Sequence, residues 1–549
     1  MNDHWDPVEL EVLWSRLIHI ADECWATIRR TAFSHVIGEA LDFGVEIFDG
    51  QGRSLAHGPK SMPVFNFCLP MTVAALLEQF PPDKLEPGDV LITNDPWICA
   101  GHLPDIAIVS PVFRDGELVA IVANCANAAD IGGTRNNKAA RELFEEGIQI
   151  PPMKLYRAGK PVEEILTMIA ANVRVPEIVL GDIHAQISAN EVGISQLLAF
   201  MNEYRLGSLS PLAVELQRRS ESAMRAAIRA LPDGTYRAET TADCHNSPQR
   251  LPVEVTVRGD EISVDYNGAP PQMASGGINC TNTYTTSHTL YAFKCILTPD
   301  IPANAGCFQP FTVSVPEGSI LAATRPASVA LRTRTGWHLH ELLFKAMSSV
   351  LPDNVQAGTG IAFLLGAGGR DTEGRAFADH LFLGGGQGAS RGHDGQSTLL
   401  FPTSAGNVSI EMFEARTQLL VEYKEFIPDS GGIGEFRGGL GQRVAIRLTK
   451  EGQSVMLGAF PEGFQAAPPG LEGGARGRSV RVIVEPGGKE PPQILTAGAL
   501  VELTEPDQRL IVEMSGGGGW GVAVRRDPNR VRHDLEEGLV TVAPEGFPD

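Results

Sequence analysis

Near the amino terminus the apolar positions recur at intervals of three and four: Leu10, Leu13, Trp14, Leu17, Ala21, Cys24, Trp25 and Ile28. That period predicts a long amphipathic helix with one buried stripe. Asp6 stands where an N-cap belongs, Pro7 at the first helical position and Glu9 three residues after the cap, so the start of the helix is also written. The spacing then changes. Short alternating or wholly apolar segments at 43–48, 89–93, 106–113 and 118–123, divided by turns such as Asp49-Gly50 and Pro87-Gly88, predict strands of a first sheet. Helical periodicity returns over roughly 161–230, with Ser210-Pro211 as a helix start and Leu231-Pro232-Asp233-Gly234 as a stop, and predicts a helical region after that sheet. Segments 253–257 and 261–266 flank Arg258-Gly259-Asp260 as a hairpin. Beyond residue 400 the pattern is mostly β, with candidate strands at 409–412, 418–421, 444–448 and 510–514.

These elements predict an α+β, multidomain chain: an N-terminal helix with a mixed sheet in 1–160, a helical region in 161–232, a central α+β domain in 233–400 and a β-rich domain in 401–549. With 549 residues and 43% hydrophobic content the chain can bury a large core. There is no fixed-period repeat and no low-complexity linker, so the parts are expected to pack together.

The formal net charge of -21 disfavours nonspecific binding to nucleic acid or an anionic membrane, and points to small molecules or other proteins as partners. No apolar stretch reaches the ~18–20 residues that span a bilayer, and the opening Met1-Asn2-Asp3-His4-Trp5-Asp6 lacks the basic and apolar regions of a signal peptide, so a cytoplasmic location is expected. The eight cysteines are spread widely with no CxxC pair, which argues against a zinc ribbon, a redox motif or a disulfide scaffold.

Chemistry-bearing residues concentrate in one stretch: Asn94-Asp95-Pro96-Trp97, His102-Leu103-Pro104-Asp105 and Asn127-Ala128-Ala129-Asp130-Ile131-Gly132-Gly133. Segments 106–113 and 118–123 are joined by Arg114-Asp115-Gly116-Glu117, and Asp-Gly in the central positions is a strong hairpin signal. With Arg114 facing Glu117, Asp105 falls opposite Ala126 and diagonal to Asn127, while His102 falls opposite Ala129 and beside Asp130. Pro111 marks a place for a bulge that would move this register by one residue. Two readings fit the cluster. In one, His102 and Asp105 supply a nitrogen and a carboxylate to a divalent cation, with Asn127 or Asp130 adding oxygen, a hard donor set suited to Mn or Mg, with Zn as a further candidate. In the other, Asn94, Asp95 and Asp130 cap loops and His102 is a satisfied polar residue at a strand end. Cys99 and Cys125 flank the cluster, but no His adjoins either in sequence to activate it.

Asn94-Asp95-Pro96, His102-Leu103-Pro104-Asp105 and Asp130-Ile131-Gly132-Gly133 resemble the signature of the hydantoinase B/oxoprolinase family. The likeness continues through Gly147-Ile148-Gln149-Ile150-Pro151-Pro152, Asn172-Val173-Arg174, Gly181-Asp182-Ile183-His184-Ala185-Gln186 and Asp300-Ile301-Pro302-Ala303-Asn304-Ala305-Gly306-Cys307. Near the C-terminus it takes in Asp429-Ser430-Gly431-Gly432, Arg437-Gly438-Gly439-Leu440-Gly441, the glycines of 516–521 and Arg526-Asp527-Pro528. The resemblance implies a B-type subunit of an ATP-dependent enzyme, among ATP-dependent hydantoinases, 5-oxoprolinase, lactam hydrolases and the related acetone and acetophenone carboxylases. It implies a hydantoinase A-like partner that uses ATP to phosphorylate a carbonyl or enol oxygen, after which the B-type subunit completes hydrolysis or carboxylation. This chain has no G-x-x-x-x-G-K-[ST], since Gly159-Lys160 and Gly488-Lys489 are followed by Pro161 and Glu490.

By the same resemblance His102, Asp105 and Asp130 are candidate metal ligands or catalytic groups, together with Glu39 and Asp42 in a segment like the family's Glu-x-x-Asp-Phe-Ser. The family's metal-binding members carry a His pair where this chain has Asn127-Ala128, which weakens the site for Zn or Mn or leaves Asp105 or Asp130 as a general base without metal. Three other motifs fail on context. Gly388-Ala389-Ser390-Arg391-Gly392 is followed by His393-Asp394-Gly395-Gln396 rather than a helix. His340-Glu341 is not completed at Phe344, so His338 and His340 are expected to be structural. The glycines of 516–521 lack the following helix and acidic residue of a dinucleotide loop, and a tight loop is expected there. The expectation is therefore a B-type subunit, in a hetero-oligomer, of an ATP-dependent hydrolase that opens cyclic amides. A carboxylase subunit and a non-catalytic scaffold are the alternatives.

Overall fold

The computed structural model describes residues 5–134, 137–244, 247–370, 373–417, 419–449 and 454–543. Met1–His4 of the opening segment and Gln418 of an expected strand lie outside these residues.

The first helix, α1 (Pro7–Thr31), begins as expected: Asp6 accepts the backbone N–H groups of Val8 and Glu9, and the periodic apolar residues are buried. The first sheet contains β1 (Phe43–Asp49), β2 (Ser54–His57), β3 (Val90–Thr93), β4 (Asp105–Arg114), β5 (Glu117–Asn127), β6 (Met153–Arg157) and β7 (Lys160–Pro161), in the order β2-β1-β5-β4-β3-β6-β7. Its strand pairs are antiparallel. Helix α2 (His35–Gly38) precedes β1, and α3 (Pro63–Gln79) covers one face of the sheet. Of the helical region α4 (Glu163–Asn172), α5 (Pro176–Glu203) and α6 (Ser210–Arg229), α5 lies on β4 and β5 alongside α1. Both faces of β4 and β5 are thus covered, which is why they read as near-continuous apolar runs rather than alternating ones. Across the α5 contact, Gln186, Asn124, Asn190 and Ser110 form a buried chain of side-chain hydrogen bonds at 2.8, 2.8 and 3.0 Å.

A second sheet is formed by β8 (Gly234–Ala242), β9 (Gln249–Arg258), β10 (Glu261–Asp265) and β11 (Phe311–Ser314), with the expected hairpin turning at Gly259 and Asp260. Helices α7 (Asn282–Leu297), α8 (Thr333–Gly336) and α9 (His338–Met347) join it to the first sheet, α7 against α3 and α9 against β8 and β9. The C-terminal half carries two further sheets. One orders β12 (Phe363–Arg370) and β13 (Ala376–Leu383) with β16 (Val455–Ala459) and β19 (Ala499–Leu503) as β13-β12-β16-β19. The other orders β14 (Leu419–Phe426), β15 (Gln442–Leu448), β17 (Arg481–Glu485), β18 (Gln493–Leu495) and β20 (Arg509–Glu513) as β14-β15-β20-β17-β18. Helix α11 (Pro528–Glu536) follows. Among the described residues no helix is long and apolar enough to cross a membrane.

Two expectations are corrected here. The strand expected at 409–412 is the start of helix α10 (Ile410–Thr417). Ser409 caps it, its hydroxyl accepting the N–H of Met412 at 3.4 Å and its carbonyl that of Phe413, with Glu411 favourably placed in the first turn. The glycines of 516–519 are not a tight loop but an extended run bonded to neighbours along its length. Gly517 donates to Gly439 at 2.9 Å and accepts from Gly432 at 2.7 Å, and Gly518 donates to Gly358 at 2.7 Å.

Bare backbone stacks on bare backbone in this layer. A Cβ on Gly517 would lie 2.0 Å from the Gln387 carbonyl oxygen, and one on Gly386 would lie 1.9 Å from that of Gly439. Gly517→Ala should therefore cost more than about 4 kcal/mol or prevent folding. Gly207→Ala, where a Cβ meets nothing within 4 Å, should stay within about 0.5 kcal/mol of the parent. Thermal unfolding of both variants checks this, and equal losses would show that the close approach is not what requires glycine.

Candidate active site

A cavity of about 300 Å³ opens between the end of the first sheet and the sheet led by β12. Its polar floor is made by Asp42, His102, Asp105, Asn127, Glu146 and Arg332, and its apolar walls include Phe65, Phe363, Phe382 and Phe460.

The β4–β5 hairpin sets the floor. Pairing begins as expected with Arg114 opposite Glu117, then shifts between Val112 and Phe113, one residue from Pro111. That bulge moves the register by one and puts Asp105 directly opposite Asn127, not Ala126. His102 Nε2 lies 2.9 Å from Asp105 Oδ1, and Asn127 Nδ2 lies 3.1 Å from the same oxygen and 3.3 Å from His102 Nε2. Asp105 is fully buried, and its second oxygen accepts from Arg332 Nη2 at 2.6 Å. Arg332 is held in turn: Nε donates to the Ala100 carbonyl at 2.6 Å, and the guanidinium carbon sits 4.5 Å from the ring centre of Tyr284.

Asp42 follows Leu41, whose φ of +59° is a left-handed conformation that costs a β- or γ-branched residue on the order of 1 kcal/mol. Upstream, Asp182 on α5 accepts the N–H groups of Phe33 and Ser34 at 2.7 and 3.1 Å and so fixes the approach to α2. Downstream, the Asp42 carbonyl accepts from the Asn127 N–H at 3.0 Å. The Asp42 side chain is buried with no hydrogen-bond partner among the described residues. Burial, and then the neighbouring Asp105 charge, hold its carboxyl well above the usual carboxylate range, while the Arg332 charge acts the other way. His102 is shifted the other way, below the usual imidazole value, first by burial and then by Arg332. Its Nδ1 lies 3.2 Å from the Ala330 carbonyl, so both ring nitrogens face oxygen acceptors while a neutral imidazole donates to only one. Taking up a proton would complete the second bond, which suits His102 to accept one.

The remaining expected residues are disposed differently. Asp130 lines the cavity, but its carboxylate accepts from Arg174 Nη1 at 2.6 Å, from the Arg174 N–H and from Gly132 N at 3.3 Å, and so fixes the loop of 130–133. Glu39 is exposed and not among the cavity residues. Cys99 and Cys125 have their sulfurs 3.6 Å apart and are buried, with the Cys125 thiol pushed well up by burial. Ser390 and His393 close a turn on each other, and His338 and His340 are buried on α9.

Sequence reasoning missed Arg332, Glu146 and His288. Arg332 carried a signal, because two arginines in Leu331-Arg332-Thr333-Arg334 follow the apolar Val329-Ala330 and must bury charge. Glu146 directly precedes the Gly147-Ile148-Gln149 motif; its carboxylate accepts the N–H groups of Val329 and Ala330 at 2.9 Å, while burial raises its pKa to about 7. His288 has no hydrogen-bond partner for either nitrogen among the described residues and stacks edge-on to Tyr284 at 4.4 Å.

A divalent cation fits this donor set poorly. Among the described residues no three His, Cys, Asp or Glu side chains are arranged to hold one. Both Asp105 oxygens are already bonded, one of them to a guanidinium, and Asn127 turns its amide nitrogen, a donor without a free lone pair, toward the carboxylate.

The sequence profile of the hydantoinase B/oxoprolinase family matches residues 6–523, and the chain belongs to that family. The caprolactamase β-subunit of Pseudomonas jessenii is 28% identical over 561 residues, covering 98% of this chain and 94% of its own. The 5-oxoprolinase of Saccharomyces cerevisiae is 28% identical over 94% of this chain but only 42% of its own length. Among solved structures, the ATP-dependent caprolactamase from Pseudomonas jessenii superposes with a TM-score of 0.91 at 27% identity, covering 98% of this chain and 94% of that one. A nucleotide-free acetone carboxylase shares the fold at a TM-score of 0.88 and 19% identity, over 97% and 78% of the two chains.

Glu146 makes a pH dependence that can be read directly. Its folded-state pKa of about 7 exceeds the ordinary 4.5, so between these values the folded chain holds a proton the unfolded chain has released. Stability from this group is therefore greatest at low pH and falls as pH rises through that window, by on the order of 2–3 kcal/mol. Glu146→Gln keeps an acceptor for the two N–H groups and should flatten the decline in melting temperature between pH 5 and pH 8. An unchanged slope would assign the dependence to other groups.

Proposed function

We propose that this chain is the B-type subunit of an ATP-dependent amidohydrolase that opens cyclic amides of the hydantoin, lactam or oxoproline kind. It would work in a hetero-oligomer with an A-type partner that uses ATP to phosphorylate the substrate, and with that nucleotide chemistry in the cytoplasm. The observation that carries the reading is the cavity itself. It sets the His102 imidazole, the buried Asp42 carboxyl, raised above its ordinary range, and a fixed guanidinium, Arg332, around one cavity, in a chain whose likeness to a caprolactamase runs end to end.

Ring opening needs water to attack the carbon that bears the phosphorylated oxygen, the negative charge on that phosphorylated oxygen to be stabilised, and the ring nitrogen to be protonated as the C–N bond breaks; the acyl phosphate so formed takes up a second water and gives the carboxylate and inorganic phosphate. Arg332 Nη1 has no protein partner among the described residues, which leaves it for the phosphorylated oxygen. His102 takes the proton from water and Asp42 gives one to the departing nitrogen; transfer from His102 back to Asp42 restores both. The Asp105 carboxylate keeps Arg332 and His102 in place. Phe363, Phe382 and Phe460 provide a wall for the apolar part of a lactam or substituted hydantoin.

With the partner subunit, ATP turnover should require a cyclic amide and release the ring-opened product. His102→Ala and Asp42→Asn should each lower kcat/KM by about 10²–10⁴, the usual yield of a positioned acid or base. Measurement of ADP and opened product decides. Turnover that requires bicarbonate would make the chain a carboxylase subunit, and unchanged turnover in both variants would leave it a scaffold for its partner.

A further inference from the structure

We infer that this chain operates its site without a resident divalent ion, the guanidinium of Arg332 standing where a cation would meet Asp105. The inference deepens the hydrolase reading and rests on it for the role of the site, but its principal measurements need no turnover.

Three features carry it. The first is the state of Asp105. Its Oδ2 accepts from Arg332 Nη2 at 2.6 Å, and its Oδ1 is shared by His102 at 2.9 Å and Asn127 at 3.1 Å. An ion here would have to displace a charge-assisted bond in a fully buried place, and would then sit beside a like charge.

The second is that Arg332 cannot step aside. It is 4% exposed, tied through Nε to the Ala100 carbonyl at 2.6 Å, and lies on the Tyr284 ring. A Cβ on Gly101 would lie 2.8 Å from Arg332 Cδ, so the chain leaves bare backbone where the side chain passes. The guanidinium is built in.

The third is the sense of the Asn127 amide. Asp105 determines it, because an amide oxygen turned toward the carboxylate would set two acceptors 3.1 Å apart. Asn127 is therefore a donor that completes the Asp105 shell. A histidine at this position, directly opposite Asp105 in the strand pair, would instead offer a lone pair. Asn127 and Arg332 are thus two halves of one arrangement: the first removes a ligand, and the second supplies the positive charge.

The test is to purify the full-length chain from cells supplied with Mn and Zn and measure its metal content. No stoichiometric ion is expected, and added Mn, Zn or Mg should leave the melting temperature within about 1 °C. About one ion per chain, or a saturable rise in melting temperature with any of the three, overturns the inference. Asn127→His alone should still take no ion, whereas Asn127→His combined with Arg332→Met should bind one. Binding by the single variant, or none by a folded double variant, removes Arg332 as the reason and also overturns it. Should the double variant fail to fold, the measurements on the parent chain decide. In the complex, stripping Mn and Zn and restoring Mg alone for the nucleotide should change turnover less than about two-fold. Failure of the hydrolase reading would appear separately, as absent cyclic-amide turnover in a chain that still takes no metal.

Discussion

The buried pair between Asp105 and Arg332 is the interaction on which the site depends. Asp105 begins β4, and Arg332 comes from the segment before α8, more than two hundred residues later in the chain. Such a pair contributes little net stability, since two desolvated charges about offset their attraction, but removing either partner costs about 3–5 kcal/mol because the other is left uncompensated. It therefore acts as a constraint. With Arg332 anchored to Ala100 and Asp105 anchored by Asn127 and His102, the end of the hairpin and the distant segment must meet in one geometry. Glu146 reinforces it by accepting N–H groups from Val329 and Ala330 just upstream.

The same charges set the chemistry. Asp105 is paired with Arg332, and beside it burial and like-charge repulsion raise the Asp42 carboxyl well above its ordinary range. His102 is kept neutral by burial and by the guanidinium, yet faces an acceptor on each nitrogen. A carboxyl shifted up and an imidazole shifted down in one cavity is the usual consequence of burial acting on groups that would titrate ordinarily in water.

A different constraint flanks the strands of the far wall, the glycine layer of the C-terminal half. Gly360, Gly386, Gly439 and Gly517 exchange backbone hydrogen bonds with neighbouring segments at distances that exclude a Cβ. Packing of this kind gains hydrogen bonds without side chains, and it ties the segments just before β12 and just after β13 to the glycine runs near 439 and 517. Phe363 and Phe382, which line the cavity, are carried by those two strands.

By itself the sequence determined what local chemistry can decide: the cap and stripe of α1, the Asp115-Gly116 hairpin and the gathering of His102, Asp105 and Asn127 at its end. The unbroken hairpin count pairs Asp105 with Ala126, whereas the folded strands pair it with Asn127, because a bulge beside Pro111 is a property of the pair of strands, not of either alone. Residues 409–412 alternate like a strand, yet the Ser409 cap and the burial of Phe413 made them a helix. Asp130 and Glu39 had the right residue types, but only the tertiary structure gave the first to Arg174 and put the second at the surface. Arg332 lies far from the cluster in sequence, and no periodicity relates it to Asp105. Its pairing follows from burial, since a guanidinium taken out of water must find a carboxylate, and only the folded chain decides which one is within reach.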